Sequence, residues 1–259
     1  MAKFEFEDEG SRLIDAFIES AGARARRARI LDALDLAPGY RVLDVGSGPG
    51  HQAFEIASVV GSRGRVDGID PADSAIKIAR HRCTKLTNVN FQLGQATKIP
   101  FVDSVFDAAM SSQTLEYVED VPAALAEMFR ILKPGGRVLI HDTDWGAVLW
   151  RSSNPKRMAR IMKVLKGAFA DPHLPQTLGE RPAVAGFVNV RSDAIVQLEI
   201  EYDPTSVSGI LTESIGGYVT ANGISQREVE AWANDLREQA SRGQYFFSSN
   251  EYIFTGMKP

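Results

Sequence analysis

The sequence predicts an α/β fold: a doubly wound, mostly parallel seven-stranded sheet of Rossmann-like type with a helical cap. Three observations predict it. Short apolar segments alternate with helical segments of about a dozen residues, which is the pattern of βαβ units. A glycine-rich turn, Gly46-Ser47-Gly48-Pro49-Gly50, directly follows the first of these segments, at the edge where such sheets bind ligands. The alternation then lapses over residues 146–185 and returns with two further strands separated by helices.

The chain has 259 residues, enough to bury a full core without disulfide or metal staples. Its 29 lysines and arginines against 33 aspartates and glutamates leave a net charge of −4, which argues against a dedicated nucleic-acid binder. A single cysteine, Cys83, is too few for a disulfide framework or a thiolate zinc cluster, and no metal is expected. There is no run of about 18 apolar residues, so no membrane span is predicted. The opening, Met1-Ala2-Lys3-Phe4-Glu5-Phe6-Glu7-Asp8-Glu9, is acidic where a secretory leader would be basic and then apolar. A cytoplasmic monomer or homodimer is the expectation.

Residues 11–36 read as helix, with Leu13, Ile14, Phe17, Ile18, Ile30, Leu31 and Leu34 mostly at helical spacing. Arg24, Arg26, Arg27 and Arg29 lie within it and, in an acidic chain, read as a solvated face. Ala37-Pro38-Gly39 turns the chain into a strand at Arg41–Val45. A helix from Gln52 to Val60, a strand at Arg65–Ile69, a helix at Ala72–Lys85 and a strand at Val89–Leu93 continue the alternation. Phe106–Ser111 is the fourth strand and Val121–Leu132 its helix; Lys133-Pro134-Gly135-Gly136 reads as a break before a fifth strand, Arg137–His141. A helix at Asn154–Phe169 is followed by a stretch punctuated by Pro172, Pro175 and Pro182. A strand at Ala194–Glu201, helices at Val207–Val219 and Gln226–Ser241, and a strand at Tyr245–Thr255 complete the chain. One domain over residues 1–259, with cap insertions at about 146–185 and 203–243, is the simplest organisation.

The glycine turn carries the most chemistry. Its spacing is G-x-G-x-G, and His51 stands where the dinucleotide fingerprint needs its third glycine, which speaks against a nicotinamide or flavin site. Asp44 precedes the turn, and a carboxylate there opposes a pyrophosphate but favours a cation. S-adenosylmethionine, with a sulfonium, an ammonium and no phosphate, suits that wall. Asp70 ends the second strand twenty residues past Gly50, where an acid can accept from both ribose hydroxyls. The plainer reading of Asp70 is an N-cap before Pro71.

Four motifs in order then bear a resemblance. Val42-Leu43-Asp44-Val45-Gly46-Ser47-Gly48-Pro49-Gly50, Gly68-Ile69-Asp70, Ile99-Pro100-Phe101-Val102-Asp103-Ser104-Val105-Phe106-Asp107 and Glu127-Met128-Phe129-Arg130-Ile131-Leu132-Lys133-Pro134-Gly135-Gly136 resemble the class I S-adenosylmethionine-dependent methyltransferases, specifically the type 11 domain. The resemblance covers about residues 38–145. It implies that Asp44, Gly46, Ser47, Gly48 and Gly50 line the methionine and ribose, that Asp70 with Pro71 holds the ribose diol, and that Ser111, Ser112 and Gln113 close over the cofactor. The family's adenine-reading acid is replaced here by Gln95-Ala96; a glutamine amide can still accept from the adenine amino group and donate to its ring.

A base is needed only if the nucleophile must lose a proton. His141, Asp144 and His173 are the candidates, with Asp142, Glu116 and Tyr117 nearby in sequence. Successive strand residues face opposite ways, so His141 and Asp142 cannot share a pocket. The sequence locates no base, and for each residue a surface or core role is the simpler reading. The expected activity is methyl transfer from S-adenosylmethionine to a small molecule, of quinone-pathway or natural-product type. A non-catalytic cofactor binder with a regulatory or assembly role and a nicotinamide oxidoreductase are the alternatives.

Overall fold

The computed structural model describes residues 20–259. The start of the helix expected from residue 11 falls outside them. The described helix is α1 (Ala21–Leu34), opened by Ser20, whose hydroxyl accepts from the Ala23 N–H at 3.2 Å. The βαβ run follows as read: β1 (Arg41–Val45), α2 (His51–Val60), β2 (Arg65–Asp70), α3 (Asp73–Arg82), β3 (Val89–Leu93), β4 (Phe106–Ser112), α4 (Val121–Ile131) and β5 (Leu132–Thr143). Then come β6 (Leu149–Trp150), α5 (Pro155–Lys166), α6 (Arg181–Val184), β7 (Val188–Glu199), α7 (Val207–Ala221), α8 (Gln226–Ser241) and β8 (Phe247–Met257). Helix starts are capped by side chains: the Asp120 carboxylate accepts from the Ala123 N–H, and the Asn154 side chain from the Arg157 N–H.

All the strands among the described residues join one sheet, ordered β3-β2-β1-β4-β5-β8, with β7 on the outer edge of β8. β1 to β5 run parallel, while β8 is antiparallel to both neighbours. The two-residue β6 is the one strand beyond the seven expected; it pairs with β8 at Leu149↔Ser248 and Trp150↔Phe247, past the end of β5.

The period-2 alternation of strands sorts the core into two faces. Val42, Ala108, Met110, Leu139 and Ile253 meet α1, α2 and α3 through Ile30, Ile56 and Ile76. Leu43, Val45, Ala109, Ile140 and Phe254 meet α4 through Leu125 and Met128, together with Leu174 and Leu178. A third cluster, with Trp150, Ile161, Trp232 and Phe247 at its centre, joins α5, α7 and α8 beyond the carboxyl ends of the parallel strands. Each buried aromatic there contributes on the order of 2–3 kcal/mol of transfer free energy.

Two expectations need correction. Lys133-Pro134-Gly135-Gly136 is no break: it lies inside β5 as an irregularity, with Phe106 paired to Leu132 and Ala108 already paired to Arg137. Gly135 takes the left-handed φ of +77° that the detour requires, and its N–H donates to the Lys258 carbonyl at 2.8 Å. The arginines of α1 are a solvated face only in part. Arg27 is buried and paired with Glu55 and Arg26 reaches the buried Glu251, while Arg24 and Arg29 are exposed, Arg29 paired with Asp193. Arg26, Arg27 and Arg29 each have an acidic partner on a different element, which local charge could not reveal.

Candidate functional site: the carboxyl edge of β1, β4 and β5

The glycine turn is bound to the next strand, with the N–H groups of Gly46 and Ser47 both donating to the Ile69 carbonyl. Gly46 has φ +74°, and a Cβ there would fall 2.2 Å from Thr114 Oγ1, so this glycine is demanded by packing. Gly48, at φ +48°, is the opposite case: a Cβ would meet nothing within 4 Å, so this backbone faces open space. That open face is what a ligand could approach.

Around it the structure leaves buried polar atoms without partners. Asp44 Oδ2 and Ser47 Oγ at the end of β1, Ser111 Oγ on β4, Gln113 Nε2 just after it, and Asp142 Oδ2 on β5 are all of this kind. Buried polar groups are normally satisfied, so this concentration marks a place built for polar ligand groups. Gln113 also holds a left-handed φ of +53°, with its Oε1 accepting from Thr143 Oγ1 at 3.0 Å. Strain of this sort tends to collect at functional sites.

Asp70 does more than the N-cap reading allowed. Its Oδ2 accepts from the Gly48 N–H at 3.0 Å and its Oδ1 from the Ala72 N–H at 2.8 Å, while α3 begins only at Asp73. Asp70 therefore braces the glycine turn, and Ala72 holds the cap position. Each oxygen keeps a lone pair for a further donor. Burial raises the Asp70 carboxyl above its usual range, against the lowering by those two N–H groups. Burial, helped by the Asp70 charge, pushes Asp44 up to about 7. Pro71 and Gln95 are exposed, and Ala96 packs against the sheet core.

Of the three candidate bases the structure brings Asp144 and His173 together and leaves His141 apart from them. His141 is fully buried, with Nδ1 2.9 Å from Ser112 Oγ and Nε2 2.9 Å from Glu251 Oε2. Asp144 is buried beyond the strand end, bonded to His173 Nδ1 and to Gln176 Nε2, each at 2.9 Å. Asp142 faces the other side of the sheet from His141, as alternation requires, and accepts from the N–H groups of Thr114 and Glu116. Glu116 is equally buried, holding Trp145 Nε1 and the Thr143 N–H. Burial raises both carboxyls; the Asp142 charge holds Glu116 up further, while the backbone N–H groups of Glu116 and Thr114 act to lower Asp142. Sequence reasoning missed Glu251 and the pairing of Arg26 with it, for which no local signal existed.

A family model described as a methyltransferase domain, of type 31, matches residues 36–180, more than half of the chain. The chain belongs to the methyltransferase domain family. Its sheet is the Rossmann-like methyltransferase fold. Among curated relatives, the 2-phytyl-1,4-naphtoquinone methyltransferase of Synechococcus elongatus is 42% identical over 108 residues, 40% of this chain and 46% of that protein. The demethylmenaquinone methyltransferase of Staphylococcus aureus is 34% identical over 118 residues, 46% of this chain and 49% of that protein. The matched segment thus spans less than half of either relative. A solved phosphoethanolamine N-methyltransferase 2 from Haemonchus contortus superposes with a TM-score of 0.66 at 20% identity, over 98% of this chain and 58% of that one. That likeness is one of fold. No helix among the described residues is long and apolar enough to cross a membrane.

Proposed function

We propose that this chain is an S-adenosylmethionine-dependent methyltransferase acting on a small molecule, with the cofactor held at the glycine turn. The observation that carries this reading is the set of unpartnered buried polar atoms, Asp44 Oδ2, Ser47 Oγ and Ser111 Oγ, around the open backbone at Gly48. Asp44 offers a carboxylate to the ammonium and sulfonium, Asp70 offers its remaining lone pairs to the ribose hydroxyls, and Gly46, Ser47, Gly48 and Gly50 form the floor. When bound, the cofactor supplies an electrophilic methyl group; the chain's part is to orient the acceptor, since positioning of two reactants supplies much of the rate.

Acceptors related to quinones fit best, because both curated relatives described above are named for quinone-related methyl transfer. The helices α5, α7 and α8 act as the cap over the carboxyl edge and shape that specificity. A nicotinamide reading is less favourable, since a buried carboxyl at Asp44 would face a pyrophosphate. Calorimetric titration tests the reading: S-adenosylhomocysteine should bind with about −8 kcal/mol or better, a low-micromolar Kd. Binding of NADH with no heat from S-adenosylhomocysteine would overturn it.

A further inference from the structure

Four side chains from four elements form one hydrogen-bonded chain inside the molecule. Ser112 Oγ, at the end of β4, lies 2.9 Å from His141 Nδ1 on β5, and His141 Nε2 lies 2.9 Å from Glu251 Oε2 on β8. Arg26, from α1, donates to Glu251 Oε1 at 3.0 Å. Burial would raise the Glu251 carboxyl, but Arg26 and His141 outweigh it and hold it at about 2. A carboxylate only accepts, so His141 carries its proton on Nε2 and presents a bare Nδ1. Ser112 must then donate its hydroxyl proton to Nδ1. Burial also holds the His141 imidazolium below its ordinary range, with Glu251 and Arg26 as the charged groups acting on it, so the ring is neutral near pH 7. A neutral imidazole, oriented by a carboxylate and bonded to a half-buried hydroxyl, is the arrangement of a base that works through a serine.

Its two ends are well placed. Val45 pairs with Ser111 across β1 and β4, so Ser112 stands level with Gly46, the first residue of the glycine turn. Thr114 Oγ1 ties the two, donating to the Ser112 carbonyl at 3.0 Å and reaching the Gly46 carbonyl at 3.4 Å. At the other end Glu251 lines a cavity of about 20 Å³ with Gln113, Thr143, Trp145 and Leu211, enough room for one water.

We infer that Ser112, His141 and Glu251 form a proton relay that takes the hydroxyl proton of the methyl acceptor, and that the acceptor is therefore a hydroxyl-bearing aromatic compound. This rests on the proposed methyltransferase reading. The acceptor O–H bond breaks and its proton goes to Ser112 Oγ, while the proton of Ser112 passes to His141 Nδ1, where Glu251 balances the new charge. The electron pair left on the acceptor oxygen, directly or through a conjugated ring carbon, forms the bond to the methyl carbon as the sulfur–methyl bond breaks with its pair left on sulfur. If the ring carbon is methylated, the ring proton then passes to the ring oxygen and restores the hydroxyl. His141 loses its extra proton to solvent before the next cycle. Ser112 touches the acceptor; His141 and Glu251 act through it.

The test uses the full chain, with Ser112→Ala, Ser112→Thr and a panel of catechol, 1-naphthol and 1,4-naphthohydroquinone. In the ligand-free protein, ¹⁵N NMR should show His141 neutral at pH 7 with its proton on Nε2. Ser112→Ala should lower kcat by about 100-fold or more while KM and S-adenosylhomocysteine affinity stay within about threefold, and Ser112→Thr should stay within about tenfold of wild type. The wild-type kcat should fall on the acid side, below the ordinary histidine value of 6.5, because the neutral ring is the working form, and this limb should vanish in Ser112→Ala. A Ser112→Ala chain that keeps both its kcat and its acid limb, or a His141 proton found on Nδ1, overturns the relay. A wild-type chain that binds S-adenosylhomocysteine yet methylates none of the panel overturns the relay and its acceptor class while leaving the cofactor reading intact. One that binds no S-adenosylhomocysteine overturns both.

Discussion

The carboxyl groups of Asp44 and Asp70 stand at the carboxyl ends of neighbouring parallel strands, and the charge on Asp70 adds to burial in pushing Asp44 up to about 7. Without a ligand this pair strains the fold. A cationic group beside Asp44, as proposed for the cofactor, would relieve the strain, so affinity and stability are set against each other at one residue.

Asp44→Asn should therefore stabilise the ligand-free protein and weaken cofactor binding. The sign follows from linkage. The folded value lies above the unfolded one of 3.8, so ionising Asp44 destabilises the fold increasingly as pH rises from about 4 to 7. At pH 8 the substitution should add up to about 4 kcal/mol, and near pH 4 almost nothing. Thermal melts at the two pH values check this, and a lower Tm at pH 8 would sink it. Affinity for S-adenosylmethionine should drop at least about tenfold at pH 8, by loss of a charge-assisted contact.

Asp70→Ala removes the acceptor for two backbone N–H groups as well as the proposed ribose contact. Cofactor binding should weaken by roughly 2–4 kcal/mol, with the protein still folded. Calorimetry with S-adenosylhomocysteine reads this directly. Unchanged affinity would confine Asp70 to bracing the turn.

His173 lies against Gly146 so closely that a Cβ there would fall 1.7 Å from its ring. Gly146→Ala must therefore expel the imidazole and break its bond to Asp144, leaving that buried carboxylate with Gln176. The cost should be roughly 1–3 kcal/mol. Adding His173→Ala should recover part of it, because the clash is gone, and a double-mutant cycle by chemical denaturation would measure that coupling. Strictly additive losses would show that the clash is not the cause.

What the sequence determined by itself was local and periodic. Alternating apolar strands and helices gave the parallel sheet, and the glycine turn with Asp44 and Asp70 placed a ligand at its edge, because one βαβ unit holds all of those residues within 30 positions of each other. Boundaries inside strands were harder to read: Lys133 to Gly136 looks like a turn, yet β4 and the chain end hold it in the sheet. The His141 relay was decided by the tertiary structure. Glu251 lies 110 residues from His141 and 225 from Arg26, and they meet only because β8 inserts antiparallel beside β5 while α1 covers that same face. The arginine run shows the same physics. Composition gave it no buried partner, whereas the fold supplied Glu55 and Glu251 from other elements, and a charge leaves water only when a distant one is brought to meet it.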